Sequence, residues 1–224
     1  MKFYVVGTPI GNLEDITYRA VRILNEVDLI LCEDTRVTRN LLDRYEIHKP
    51  TMSYHSQSKL AKIDKILEMI EEGKTLALVS DAGTPTISDP GSVLVSKIRE
   101  SFSEIEIIAI PGPSALVSAL SVSGLPASEF TFYGFLPHKK GRETLFKEIA
   151  EINRTAVFYE SPHRILKALE SLNTFTHDRK VVIAREISKI YEQVISGKPE
   201  EILKYFAENP DKVRGEFVVM VSEK

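Results

Sequence analysis

The feature that most constrains this chain is the alternation in its first half. Four short apolar runs, FYVV, DLILC, TLALVS and IEIIAI, are separated by longer segments of helical period. Parallel strands cannot be joined by a tight turn and need a crossover of a dozen or more residues, so strands spaced by helices predict a mostly parallel, doubly wound sheet.

The intervening helices are legible from their apolar faces. DITYRAVRILNEV sets Ile16, Ala20, Ile23, Leu24 and Val27 on one face, with Asp15 as the expected N-cap. TRVTRNLLDRY follows, then a short TMSYH run and SKLAKIDKILEMIEEG, closed by Gly73. GSVLVSKIRESF, opened by Asp89, Pro90 and Gly91, and PSALVSALSVSG, ending at Gly124, complete the set. This pattern assigns residues 1–114 to one domain.

The second half reads differently. TFYGF and TAVFYE are strands flanking the helix RETLFKEIAEI, SPHRILKALESL is helical, and KVVIARE and IYEQVISG lie close enough to pair directly. EEILKYFAEN is a last helix and GEFVVMV a closing strand. Residues 115–224 are expected to form a mixed α/β domain with some antiparallel pairing, with 125–129 as the join.

A chain of 224 residues, 43% hydrophobic, can bury two modest cores. Its net charge of -3 excludes a global positive field, so any contact with nucleic acid must rest on a local patch. The single cysteine, Cys32, precludes an internal disulfide and reads as a small buried hydrophobe. The opening MKFYVVGTPIG is too short and too broken by Gly and Pro for a signal peptide, and no run approaches the roughly 18 apolar residues of a membrane span. The expected address is the cytoplasm.

In open α/β sheets, ligands bind beyond the carboxyl ends of the strands. The loops there are GTPIGN, EDTR, SDAGTPTISDPG and PGPS, all rich in Gly, Pro, Asp and Thr. Turn residues follow any strand, but four such loops on one edge point to a ligand.

Several familiar motifs fail. GKT at Gly73 lacks the earlier glycine of a phosphate-binding loop, since Glu68 stands there, and it ends a helix rather than opening one. GTPIG is not G-x-G-x-x-G, which disfavours a dinucleotide. PGPSAL has Leu116 where a nucleophile elbow requires glycine. His48, His55, His138, His163 and His177 show no metal-ligand spacing, so no metal is expected.

Taken together, VGTPIGNLEDIT (6–17), CEDTR (32–36), SDAGTPTISDPG (80–91), PGPSALVSALSVSGL (111–125), YGFLP (133–137), ESPHR (160–164) and AREISKIYE (184–192) resemble the tetrapyrrole methylase superfamily. Within it they are most similar to the bacterial 16S ribosomal RNA cytidine 2'-O-methyltransferases. Seven motifs in order span nearly the whole chain.

The resemblance implies the class III methyltransferase fold: two α/β domains with S-adenosylmethionine in the cleft between them, held largely by backbone groups. Carried over by motif, the donor-binding residues are Pro9, Asp81, Gly83, Thr84, Pro85, Ile87, Pro111, Ser114 and Ala115, with Tyr159, Glu160, Ser161, Ala184 and Glu216 from the second domain. Such loops suit a donor with a cationic sulfonium, an adenine plane and a zwitterionic end, because prolines and glycines fix backbone dipoles in direction.

Methyl transfer from this donor is one in-line displacement, so positioning dominates and effective molarity alone can contribute about 7–11 kcal/mol. An acceptor for the hydroxyl proton adds roughly two to four orders of magnitude. The carboxylates in the motifs are Glu33, Asp34, Asp81 and Glu160, and Asp34 or Asp81 is the expected acceptor. A loop-fixing ion pair among Glu33, Asp34 and Arg36 is the competing reading.

The expected partner is 16S RNA or the small ribosomal subunit. PHKKGR supplies Lys139, Lys140 and Arg142, and with Arg36, Arg39 and Arg164 these are expected to form a basic rim for RNA. Relatives often carry a further small C-terminal domain, which this chain is expected to lack, leaving the mode of RNA docking open. A symmetric dimer, usual for the fold, would supply part of that surface. The rival readings are a methyltransferase of the same fold acting on a corrin or other tetrapyrrole, and a non-catalytic donor-binding factor in ribosome assembly.

Overall fold

The strands of the first half all run the same way. In the computed structural model, which describes residues 1–55, 60–89, 91–176 and 178–224, the chain divides into two units, Met1–Ser114 and Ala115–Lys224. Helix PSALVSALSVSG therefore belongs to the second unit, and residues 125–129 lie inside it rather than at a join.

The first unit comprises β1 (Lys2–Val6), α1 (Tyr18–Glu26), β2 (Leu29–Cys32), α2 (Thr35–Arg44), β3 (Thr51–Ser53), α3 (Leu60–Glu71), β4 (Leu76–Leu78), α4 (Gly91–Ser101) and β5 (Glu106–Ile110). Its sheet has the order β3-β2-β4-β1-β5, and every neighbouring pair is parallel. Period-two alternation sends successive side chains to opposite faces. Leu76 and Leu78 join Phe3, Leu31 and the α3 and α4 residues Ile63, Ile66, Ile70, Leu94 and Ile98. Ala77 and Val79 instead join Val6, Ile30 and Cys32 under Ala20, Ile23, Leu24 and Leu42 of α1 and α2. Both faces are covered, as a parallel sheet requires.

Two local details differ from the sequence reading. The N-cap of α1 is Thr17, whose hydroxyl accepts from Ala20 N at 3.1 Å. Asp15 instead ends a short 3-10 turn, Leu13–Asp15, capped by Asn12, so the chain makes a separate turn before the helix starts and Ile16 packs from outside it. The TMSYH run contributes β3, an edge strand too short to announce itself. Ser58 and Lys59, expected in α3, lie outside the described residues, as do Pro90 and His177.

The second unit comprises α5 (Ala115–Ser123), β6 (Phe130–Phe135), α6 (Arg142–Glu151), β7 (Thr155–Glu160), α7 (Ile165–Phe175), β8 (Val181–Arg185), β9 (Gln193–Gly197), α8 (Pro199–Glu208) and β10 (Phe217–Val221). The order is β6-β7-β10-β8-β9, with β6·β7 parallel and the other pairs antiparallel. Helices α6, α7 and α8 cover one face through Phe146, Leu169 and Phe206, while α5 covers the other through Leu116, Ala119 and Leu120. Strand β9 begins only at Gln193 because the preceding residues turn, Lys189 N donating to Glu186 O and Glu192 N to Lys189 O. Among the described residues no helix is long and apolar enough to cross a membrane.

One backbone contact fixes the carboxyl edge of the first sheet. A Cβ on Gly7 would stand 2.8 Å from Gly112 Cα, and one on Gly112 would stand 2.8 Å from Gly7 O, so neither neighbour can yield by rotating a side chain. Gly112→Ala is expected to destabilise the protein by about 1–3 kcal/mol through this overpacking. Urea denaturation measures it, and a loss indistinguishable from zero would mean that the two segments separate at no cost.

Candidate functional site

Because β4, β1 and β5 are neighbours in the first sheet, the loops that follow them lie side by side. Gly7 N donates to Ile110 O at 3.1 Å, extending the β1·β5 ladder one step. The next residue bridges the other way: Thr8 N donates to Gly83 O at 2.9 Å and Gly83 N to Thr8 O at 3.1 Å. The buried Thr8 hydroxyl lies 3.0 Å from Ser80 O and 3.3 Å from Gly83 O, and Thr84 Oγ1 donates to Pro113 O at 3.3 Å. Three loops are thus joined by backbone and hydroxyl groups.

The loop after β4 holds unusual backbone. Gly83 has φ +85°, and the non-glycine residues Thr86 and Ser88 have φ +78° and +63°. L residues avoid this region, so the conformation persists only where surroundings impose it. Asp89 does much of the imposing: its Oδ1 accepts from Thr86 N at 2.7 Å and from Gly91 N at 2.8 Å, closing the loop and opening α4. Of the expected donor residues here, Pro9, Gly83 and Pro85 are buried, Thr84 and Ser114 are half-buried, and Asp81, Ile87 and Pro111 are exposed.

The loop after β2 attaches through carboxylates. Asp34 N donates to Asp81 Oδ1 at 3.0 Å, and Asp81 N donates to Glu33 Oε1 at 3.4 Å. Asp34 also caps α2, accepting from Arg36 N at 2.8 Å, while the Arg36 guanidinium grips it at 2.6 Å. That grip pulls the Asp34 carboxyl down to about 2. Burial pushes Glu33 the opposite way, above the ordinary range, against the bond from the Asp81 backbone. Burial likewise raises the Cys32 thiol, in keeping with a small buried side chain rather than a nucleophile. Arg36 and Arg39 are exposed.

In the second unit, Tyr159 packs edge-on against Phe132, with ring centroids 4.9 Å apart, and against Phe135 at 5.3 Å. Burial pushes its phenol up. Glu160 is buried, its Oε2 2.9 Å from Arg142 Nη2 and its Oε1 2.8 Å from Arg164 Nε and 2.9 Å from Ser161 N. Ala184 is buried in β8, opposite Val218. Glu216 is exposed and pairs at 2.9 Å with Lys189, which also meets Glu186. The structure therefore brings together Glu33, Asp34, Arg36 and Asp81 in one unit, and Glu160, Arg142 and Arg164 in the other.

Thr8 and Asp89 organise the loops, yet sequence reasoning gave neither a part in the site. Thr8 stands between a glycine and a proline, where a hydroxyl can bond across to a neighbouring loop. Asp89 precedes Pro-Gly, a familiar helix opening, and that signal hid its second bond to Thr86.

Residues 2–203 match a family described as Tetrapyrrole (Corrin/Porphyrin) Methylases. The chain is 48% identical to the ribosomal RNA small subunit methyltransferase I of Thermotoga maritima, covering 100% of this chain and 99% of that one. A Vibrio cholerae protein of the same name is 45% identical over 97% of this chain and 76% of its own length. Among solved structures, a cobalt precorrin-4 methyltransferase of cobalamin biosynthesis aligns with a TM-score of 0.72 at 14% identity, covering 99% of this chain and 94% of that one. The methyltransferase CobJ aligns with 0.71 at 20%, covering 99% and 93%. At these identities the structural likeness shows the fold.

The Asp34–Arg36 pair yields a pH-dependent expectation. A carboxyl held lower in the folded chain than in the unfolded one stabilises the fold above its ordinary value of about 4. That contribution disappears as pH falls towards the folded value of about 2. In Arg36→Ala the midpoint should rise towards about 4, read by carbon NMR of the side-chain carboxyl. A midpoint that stays low would assign the effect to the α2 amides alone.

Proposed function

The chain belongs to the tetrapyrrole (corrin/porphyrin) methylase family, and on that premise we propose that it methylates the ribose 2'-hydroxyl of a cytidine in 16S RNA of the small ribosomal subunit. It is an S-adenosylmethionine-dependent methyltransferase, in keeping with relatives 42–48% identical over nearly its full length. The reading extends to a cytoplasmic address, where ribosomal RNA is made, and to a homodimer. The corrin alternative rests on structures at 14–20% identity, which carry no argument about substrate.

The single observation that supports this most is the joined loop edge of the first unit. The Gly7–Gly112 contact and the positive φ values at Gly83, Thr86 and Ser88 fix backbone amides and carbonyls in direction. A donor set of oriented dipoles beside apolar Pro9, Pro85 and Ile87 fits a ligand that combines an adenine plane, a sulfonium and a zwitterion. We assign donor contacts to Pro9, Asp81, Gly83, Thr84, Pro85, Ile87, Pro111 and Ser114 in this unit. In the second unit they are Ala115, Tyr159, Ser161, Ala184 and Glu216, with Glu160 contributing through its backbone because both carboxylate oxygens are engaged.

Bound S-adenosylmethionine supplies an activated methyl group on a sulfonium. The chain's own residues then have two tasks: to hold the ribose hydroxyl in line, and to take its proton. Asp34 is a weak acceptor, since Arg36 holds its carboxyl at about 2. Asp81 is the stronger candidate: it is exposed, and its Oδ1 meets the Asp34 amide across the loop.

Labelled donor incubated with small subunits from a strain lacking the activity should yield label as 2'-O-methylcytidine; label on a base, or none on RNA, would sink the proposal. Asp81→Asn should lower kcat by about two to four orders of magnitude, beyond whatever it takes from donor affinity. Loss of donor affinity with kcat preserved would leave Asp81 a donor contact alone and remove it as the proton acceptor.

A further inference from the structure

The carboxylate of Glu160 has no exposed surface, yet it faces two cations: Arg142 Nη2 at 2.9 Å and Arg164 Nε at 2.8 Å, whose side chains are only 14% and 17% exposed. A buried carboxylate is tolerated when it is gripped on both oxygens, and it becomes a liability when one partner is removed. Both arginines also reach the same stretch of backbone. Arg164 Nη1 donates to Leu136 O at 3.0 Å, and Arg142 Nη1 to Pro137 O at 3.2 Å, with the Arg142 guanidinium 5.3 Å from the centre of the Phe146 ring.

What they hold is the segment joining β6 to α6. There Arg142 N donates to Lys139 O at 3.2 Å, and Gly141 has φ 82° and ψ -7°. That is a type II turn with Lys140 and Gly141 at its centre, and its second central position requires φ above zero, which glycine supplies. Lys139 and Lys140 are exposed, and among the described residues neither makes an ion pair.

We propose that Glu160, Arg142 and Arg164 are positioning residues that hold a preformed turn, and that Lys139 and Lys140 on this turn contact RNA phosphates while the two arginines contact none. This rests on the ribosomal RNA reading above. Moving either arginine onto a phosphate would leave Glu160 buried with a missing partner, whereas a lysine on an exposed turn is a flexible point charge suited to a phosphate. Anchoring the backbone beforehand lowers the ordering cost of binding.

A double-mutant cycle on RNA affinity tests the division of labour. Lys139→Ala/Lys140→Ala should weaken binding to small-subunit RNA and make the slope of log K against log salt shallower by about 1.5, with melting temperature and S-adenosylmethionine affinity unchanged. Arg142→Lys and Arg164→Lys keep a positive charge for a phosphate but lose the forked grip. Each should lower the melting temperature, speed tryptic cleavage at Lys139 and Lys140, and weaken RNA binding. In the background lacking both lysines, neither should weaken binding further. Additive losses in that background, or an unchanged salt slope in the double lysine variant, would overturn the assignment. Methylation by the wild-type protein, measured alongside, carries the functional reading separately: an active wild type with an additive cycle refutes only this inference.

Discussion

The joined loops of the first unit depend on one small contact, the pair of backbone hydrogen bonds between Thr8 and Gly83. The strands of this sheet run parallel, so the loops leaving β1 and β4 start out in the same direction; an antiparallel bridge between them requires one to fold back. Gly83 allows this, with φ +85°. Once bridged, the two loops bring the hydroxyl of Thr8 under Ser80 O and place Thr84 against the loop after β5. The edge is assembled from main chain and a few short side chains, the hydroxyls of Thr8 and Thr84 and the carboxylate of Asp89 among them. Fixed dipoles need no reorganisation when a ligand arrives, and this is why such an edge can serve a charged substrate without a dense array of charged residues.

Charge is handled in two distinct ways. Asp34 and Arg36 form a pair at the surface, where solvent weakens attraction, and its clearest local role is capping α2. Glu160 is the reverse case, a carboxylate removed from water and held by two guanidinium groups. Breaking a buried pair of this kind typically costs about 3–5 kcal/mol, a sizeable share of the stability of a small domain. By magnitude alone the Glu160 cluster is architecture first. Its arginines are therefore tied to the fold in a way that Arg36 and Arg39, both exposed, are not.

Much of this was legible in the residues. Runs such as TLALVS and IEIIAI show their strand character by β-rich composition, and the apolar faces of α1 to α4 show their helical period, so the parallel sense of the first sheet, though not its strand order, followed from connection lengths. The four loops were legible as a group because ligand sites in such sheets gather at one edge. What escaped was decided by contacts between distant segments. Thr17 rather than Asp15 caps α1 because the chain first completes a 3-10 turn, and local sequence offers two acceptors without ranking them. Gly7 and Gly112 read as ordinary turn glycines until their backbones are seen in contact. Arg142 and Arg164 read as free cations because nothing in a linear sequence reveals that Glu160, at the end of a strand, is buried between them.

The same distinction bears on how a chain with a net charge of -3 can act on a polyanion. Long-range attraction to nucleic acid scales with total charge, and here it is absent or slightly repulsive. Short-range binding depends instead on how many cations meet phosphates at once and on how little order must be created when they do. Two lysines on a hydrogen-bonded turn, anchored at Leu136 and Pro137 by arginines that are themselves engaged by Glu160, satisfy the second condition. The acidic total and the basic turn are therefore compatible. The first limits non-specific capture of RNA at a distance, and the second provides contact once a structured substrate has been brought near by shape.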